Sequence, residues 1–152
     1  MKKASLVVIS VLLITAVLFS ACTSSATTKV RVASDATWPP FEMVDETTKE
    51  LTGFDIEMMT AIAKEAGLDI EFVNVGFDPL LAGMAQCQYD AAISAMTITP
   101  ERQANMLFSD PYLNAGQIVT VQIANTTINS KDDLAGKTVG AQIGTTGAIE
   151  VG

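Results

Sequence analysis

The sequence of 152 residues contains no histidine and only two cysteines. Without histidine it lacks the commonest general base and the commonest metal ligand. Two cysteines cannot build a disulfide framework. Basic residues are also few: nine Lys and Arg stand against 17 Asp and Glu, for a net charge of −8. Phosphate contacts need clustered Lys and Arg, and the longest basic run is Lys2-Lys3. No nucleic-acid partner, no cofactor and no metal site is therefore expected. The length suffices for one domain with a real core.

What is present begins with a strong N-terminal pattern. Lys2-Lys3 precedes an apolar run from Ala4 to Leu18, broken only by Ser5, Ser10 and Thr15. Phe19-Ser20-Ala21-Cys22 follows, small residues ahead of a cysteine. Residues 1–21 have the layout of a secretory signal peptide. The run is short for a membrane span of ~20 residues. The junction resembles a bacterial lipobox, with Phe19 where leucine is usual; that resemblance implies lipid on Cys22 and cleavage ahead of it. Cys87 then has no partner and reads as a small packed thiol. Residues 22–28 form a Ser/Thr/Ala tether.

From there the periodicities alternate between strand and helix. Residues 29–34 read as a first strand, 35–41 as a loop with two prolines, and 42–51 as a turn or short hairpin. Gly53 to Ala66 reads as a helix with Ile56, Met59, Ile62, Ala63 and Ala66 on one face and Gly67 as its stop. A second strand is expected at 68–75. Asp78-Pro79 looks like a cap and N1 proline for a helix running to about Gln86. A third strand is expected at 89–93, and a further helix at Thr99-Pro100. Strands are expected at 117–123 and 138–142, with a capped turn at Ser130–Asp133 and a helix opening at Gly144-Thr145-Thr146-Gly147. The βαβαβ order argues an α/β domain with a largely parallel sheet. The last helix stops after a few residues, too few to stand alone, so a fragment is expected.

In open α/β sheets ligands bind beyond the carboxyl ends of the strands. Asp35 and Trp38 follow the first strand, Phe77 the second, and Ser94 to Thr97 the third, with Arg102 a turn later. Thr145 and Thr146 follow the strand expected at 138–142. For a zwitterionic amino acid each has a job. Arg102 forks onto a carboxylate, Thr97 offers hydroxyl and N–H, and N–H groups around Thr145 and Thr146 favour an anion. Trp38 and Phe77 are flat apolar walls, and Asp35 accepts from the ligand's far end. On spacing alone the plainer readings stand beside these. Arg102 is also a solvated helix residue pairing with a nearby acid such as Asp110, Trp38 a rim residue, Asp35 a turn former, and Ser94 and Thr97 loop residues bonding backbone. Gly144–Gly147 also reads as a plain helix cap and lacks a P-loop lysine.

Four stretches carry a resemblance. Gly53-Phe54-Asp55-Ile56-Glu57-Met58 with Ile62, Ala63 and Ala66; Tyr89 through Arg102; Phe108-Ser109-Asp110-Pro111-Tyr112; and Leu134 through Gly140 running into Gly144-Thr145-Thr146. Together they resemble the family 3 bacterial extracellular solute-binding proteins, the polar amino-acid-binding proteins of ABC importers. The resemblance implies a periplasmic-binding-protein-like fold of type II, two α/β lobes closing like a hinge on the ligand. Lobe one would be 29–115, a hinge strand 116–124, and 125–152 the start of lobe two. It implies that Arg102 and N–H groups at Thr97 and Thr146 hold the ligand α-carboxylate, and that Ser94 and Thr97 hold its ammonium. It places Trp38 and Phe77 around the side chain, Asp35 at its distal end, and Gln142 on its lining. Ala95 falls where some members that bind basic amino acids have serine. The implied role is non-catalytic: a lipid-anchored, extracytoplasmic protein that binds a free polar or basic amino acid and passes it to a membrane permease. The alternatives are a receptor's sensing domain and a periplasmic dehydratase on the same fold.

Overall fold

The computed structural model describes residues 29–152. The signal, the tether and the Cys22 lipid site lie outside the described residues. The chain runs β1 (Val30–Ser34), β2 (Thr37–Trp38), β3 (Glu42–Val44), β4 (Leu51–Thr52), α1 (Phe54–Ala66), β5 (Ile70–Asn74), α2 (Phe77–Ala85), β6 (Ala91–Ala92) and α3 (Pro100–Gln103). A 3₁₀ turn (Lys131–Leu134) and α4 (Thr146–Val151) follow.

Two small sheets result. The first is parallel in the order β5-β1-β6, with Val32 opposite both Phe72 and Ala91. Val32, Ala33 and Ser34 are all buried, so both faces of β1 are covered, as a central parallel strand requires. The second is an antiparallel meander, β2-β3-β4. The polar stretch expected as a hairpin is one, and its turn is built on Asp45, whose Oδ1 accepts from the N–H groups of Thr47 and Thr48.

The meander also caps α1. Gly53 sits at φ 119° with no side chain to cap the helix. The N–H groups of Phe54 and Asp55 instead donate to the carbonyls of Pro40 and Phe41, satisfying donors that a helix start leaves free. Gly67 ends the helix in the left-handed conformation, as expected. The buried face differs from the one expected. Ile56 and Ala63 are buried with Asp55, whereas Ile62 is 49% exposed and lines a groove of about 730 Å³ with Met58, Met59 and Met84.

Other boundaries also moved. α2 is capped by Gly76, not Asp78, and Pro79 is its third residue. Proline is tolerated there because first-turn N–H groups lack intrahelical acceptors. Cys87 is exposed rather than packed, since it lies at φ 54° in the turn after α2. The strands expected at 117–123 and 138–142, and with them the hinge strand at 116–124, are irregular. Their Val, Ile and Thr content suits a strand, but a strand needs a ladder partner, and neither segment joins either sheet of the described residues.

Candidate functional site

The three parallel strands of the first sheet end on the same side. Asp35 leaves β1 there, Phe77 opens α2 just beyond β5, and Ser94 follows β6. Because β5 and β6 flank β1 on opposite sides, this end is a topological switch point, where α/β sheets form ligand crevices. The buried polar side chains Asp35, Ser94 and Arg102 gather here.

Arg102 anchors one side. Thr99 caps α3 by accepting the Arg102 N–H at 3.2 Å, which fixes where the arginine leaves the backbone. Its side chain is 8% exposed. Nη1 donates to the Thr97 carbonyl at 2.7 Å and Nη2 to the Gly144 carbonyl at 2.8 Å. The guanidinium carbon lies 5.2 Å from the centre of the Phe77 ring, within cation–π range. Burial draws the pKa of Arg102 down, with Glu101 opposing it. Asp110 does not pair with it; the ion pair among the described residues is Lys131–Glu150, at 3.1 Å on the surface. A guanidinium has five N–H groups, so donors remain beyond the two carbonyls.

Thr146 reaches the same place. Its hydroxyl lies 3.4 Å from that of Thr97 and accepts from Gln117 Nε2 at 2.8 Å. Thr145 caps α4: its hydroxyl accepts from the Ala148 N–H and donates to the Gln142 carbonyl. Gly144, at φ 79°, lets the chain pass close to Asp78.

The other side is built on Asp35, which is 2% exposed. Its Oδ1 accepts from the Thr37 hydroxyl at 2.9 Å and its Oδ2 from Gln142 Nε2 at 2.7 Å. Gln142 Oε1 in turn accepts from Trp38 Nε1 at 2.8 Å. Trp38 keeps 42% of its surface exposed. Ser94 joins this side to the turn after β6: its Oγ accepts the Asp35 N–H at 3.0 Å and donates to Glu42 Oε1 at 3.0 Å. Ala95 stands at φ 43° and donates its N–H to Asp55 Oδ2 at 2.7 Å.

All ten residues expected to form a site are thus placed around one end of the first sheet. Four further residues support them and carried no assigned role in the sequence: Glu42, Asp55, Tyr112 and Gln117. Glu42 falls in the polar stretch that reads as a turn or short hairpin, and it is fully buried. Asp55, in the first turn of α1, is also fully buried and accepts from the Tyr112 hydroxyl at 2.8 Å. Burial, followed by that bond to Asp55, pushes the Tyr112 hydroxyl pKa up. Among the described residues no group of three acids or cysteines is placed to hold a metal ion.

An arrangement of one buried guanidinium, several hydroxyls, two aromatic rings and an acid suits binding of a small polar zwitterion. Several known proteins are similar to this chain. The ABC transporter arginine-binding protein 1 of Escherichia coli (strain K12) is 37% identical over 81% of this chain and 49% of its own length. The arginine-binding extracellular protein ArtP of Bacillus subtilis (strain 168) is 38% identical over 76% of this chain and 44% of its own. An ancestral arginine-binding protein, solved bound to arginine and bound to glutamine, is 43% identical, with a TM-score of 0.77 over 81% of this chain and 54% of its own. The chain therefore spans about half the length of the curated relatives it matches. Residues 30–143 match a family model, and on that match the chain belongs to the bacterial extracellular solute-binding proteins, family 3.

Proposed function

We propose that this chain carries the amino-acid-binding residues of the solute-binding component of an ABC importer, taking L-arginine or a related basic or polar amino acid without chemical change. The observation that carries this reading is Arg102: a buried guanidinium with N–H groups to spare and no protein carboxylate paired with it among the described residues. A ligand α-carboxylate supplies that charge, with the hydroxyls of Thr97 and Thr146 beside it. The ligand stem lies between Phe77 and Trp38. Its distal cation meets Asp35, by exchange with the Gln142 amide that now occupies Oδ2. Ser94 and the Ala95 turn complete the lining.

Asp35 favours a cationic or amide side chain and repels a carboxylate one. Arginine-binding relatives agree with that preference. In this reading residues 29–115 form one lobe, 116–124 the connection, and 125–152 the opening of a second lobe. The chain works outside the cytoplasm, held to the membrane by lipid on Cys22 and delivering its ligand to a permease.

Titration calorimetry of the folded chain against L-arginine, L-glutamine and L-glutamate tests the assignment. Heat is expected with arginine, less with glutamine, and none with glutamate. Heat with none of a full panel of amino acids overturns it.

A further inference from the structure

Two carboxyl groups behind the site lack what buried carboxylates need. Glu42, at the start of β3, and Asp55, in the first turn of α1, are both fully buried. Consecutive residues hold the two carboxyls at one turn, Ser94 bonding Glu42 and Ala95 bonding Asp55. One oxygen of each is accounted for: Glu42 Oε1 accepts from Ser94, and Asp55 Oδ2 accepts from the Ala95 N–H and the Tyr112 hydroxyl. The other oxygens, Glu42 Oε2 and Asp55 Oδ1, are buried and have no donor among the described residues. The remaining ionisable group acting on Glu42 is Asp35, a third acid. Two neighbouring carboxylates with two orphan oxygens would be costly to bury. One proton removes both defects, because an acid O–H on one orphan oxygen donates to the other.

We infer that Glu42 and Asp55 share a single proton, carried on Glu42 Oε2 and donated to Asp55 Oδ1, and that the pair positions the Ser94–Thr97 turn and Asp35. The direction follows from the other bonds. Asp55 already accepts twice at Oδ2 and so serves as the carboxylate, whereas Glu42 accepts once, from a neutral hydroxyl. Burial, reinforced by Asp55 and Asp35 against the Ser94 bond, raises the Glu42 pKa to about 8. The consequence reaches the site through two consecutive residues. Ser94 has one proton and gives it to Glu42, so its oxygen is left to accept the Asp35 N–H. Ala95 stands in the left-handed region, costly for a residue with a Cβ, and its N–H is tied to Asp55. Glu42 and Asp55 are positioning residues here and touch no ligand themselves. Their effect on binding rests on the amino-acid reading above; the shared proton does not.

Carbon-13 NMR of the chain labelled at glutamate carboxyls reads the proton directly. One glutamate is expected to titrate near pH 8, and its signal to be missing in Glu42→Gln. If every glutamate titrates in the ordinary carboxylate range, the inference is wrong. Loss of the shared proton above pH 8 should weaken the parent's arginine binding. The amide of Glu42→Gln accepts from Ser94 and donates to Asp55 in place of the acid, so this variant should match the parent's affinity at pH 7 and hold it above pH 8. Glu42→Leu should weaken binding about tenfold or more, since it strands Ser94 and Asp55. A Gln variant as weak as the Leu variant overturns the positioning role. Should the parent bind no amino acid while Glu42 still titrates near pH 8, the ligand reading fails and the shared proton stands.

Discussion

At the scale of single residues, the site is a set of groups whose burial outruns their pairing. Arg102 is the clearest. Its two protein bonds go to carbonyls, which carry no full charge, and on the proposed reading a ligand carboxylate supplies the ionic partner. Arg102→Ala should cost about 2–5 kcal/mol of arginine binding, as expected when one member of a buried hydrogen-bonded charge pair is removed. Calorimetry that finds a loss below about 0.5 kcal/mol would place Arg102 outside the site. Glu42 makes a second prediction, on stability. Its pKa stands at about 8 in the fold against an ordinary 4.5. Below pH 4.5 both folded and unfolded chains hold the proton, and this group leaves stability unchanged. Between pH 4.5 and 8 the unfolded chain releases the proton and the folded chain keeps it, so stability falls as pH rises and levels off above 8. Glu42→Gln cannot ionise. Its melting temperature should therefore gain on the parent's steadily from pH 5 to 8; a gap that stays constant with pH would mean that Glu42 does not titrate there.

At the scale of elements, legibility followed local chemistry. β1 and β5 were readable because apolar β-formers recur within turn signals. The end of α1 was readable because Gly67 is a glycine at a left-handed position, and the start of α3 because Thr99-Pro100 combines a cap with a first-turn proline. The segments 117–123 and 138–142 have strand composition, but composition says nothing of a partner, and there the expectation failed. The start of α2 was misread for a related reason: Asp78-Pro79 has the chemistry of a cap, but Gly76 takes that place. Gly53 illustrates a constraint that only the fold shows. Its φ of 119° is strained for any other residue, and an added Cβ would run into the Phe41 carbonyl oxygen that accepts the Asp55 N–H. Gly53→Ala should lower unfolding stability by about 1–3 kcal/mol or more, because relieving the clash also releases the first turn of α1. Urea titration measures it, and a neutral result would show that the meander does not cap the helix as described.

At the scale of the whole molecule, the site was more legible than its support. Asp35, Phe77 and Ser94 lie just beyond strands of the first sheet, where topology alone points, and the resemblance implied their roles, whereas Gln142, Thr145 and Thr146 follow no strand. Glu42, Asp55 and Tyr112 were not legible as a unit, because three polar residues 13 and 57 positions apart in sequence acquire meaning only when α1 and the meander pack together. The same packing also sets how stability is distributed. Residues 29–103 hold the buried apolar core, with Val32, Ala33 and Leu80 fully buried. Residues 142–146 join that core through polar bonds: Gln142 to Asp35 and Trp38, Gly144 to Arg102, and Thr146 to Thr97. Little apolar burial backs them, since Ile118 and Ile143 are 86% and 71% exposed. Amide exchange measures opening free energies locally, and regions with few buried apolar contacts open first. The amides of β1 and β5 should therefore exchange slowest, and those of 116–124 and 138–149 fastest. On the proposed reading arginine bridges Arg102, Asp35 and Thr146 and supplies the missing cohesion, so it should slow exchange at 142–149 and at the Ser94–Thr97 turn while leaving the Asp45–Glu50 turn of the meander unchanged. Protection by arginine confined to the first sheet would mean that residues 142–149 take no part in holding the ligand.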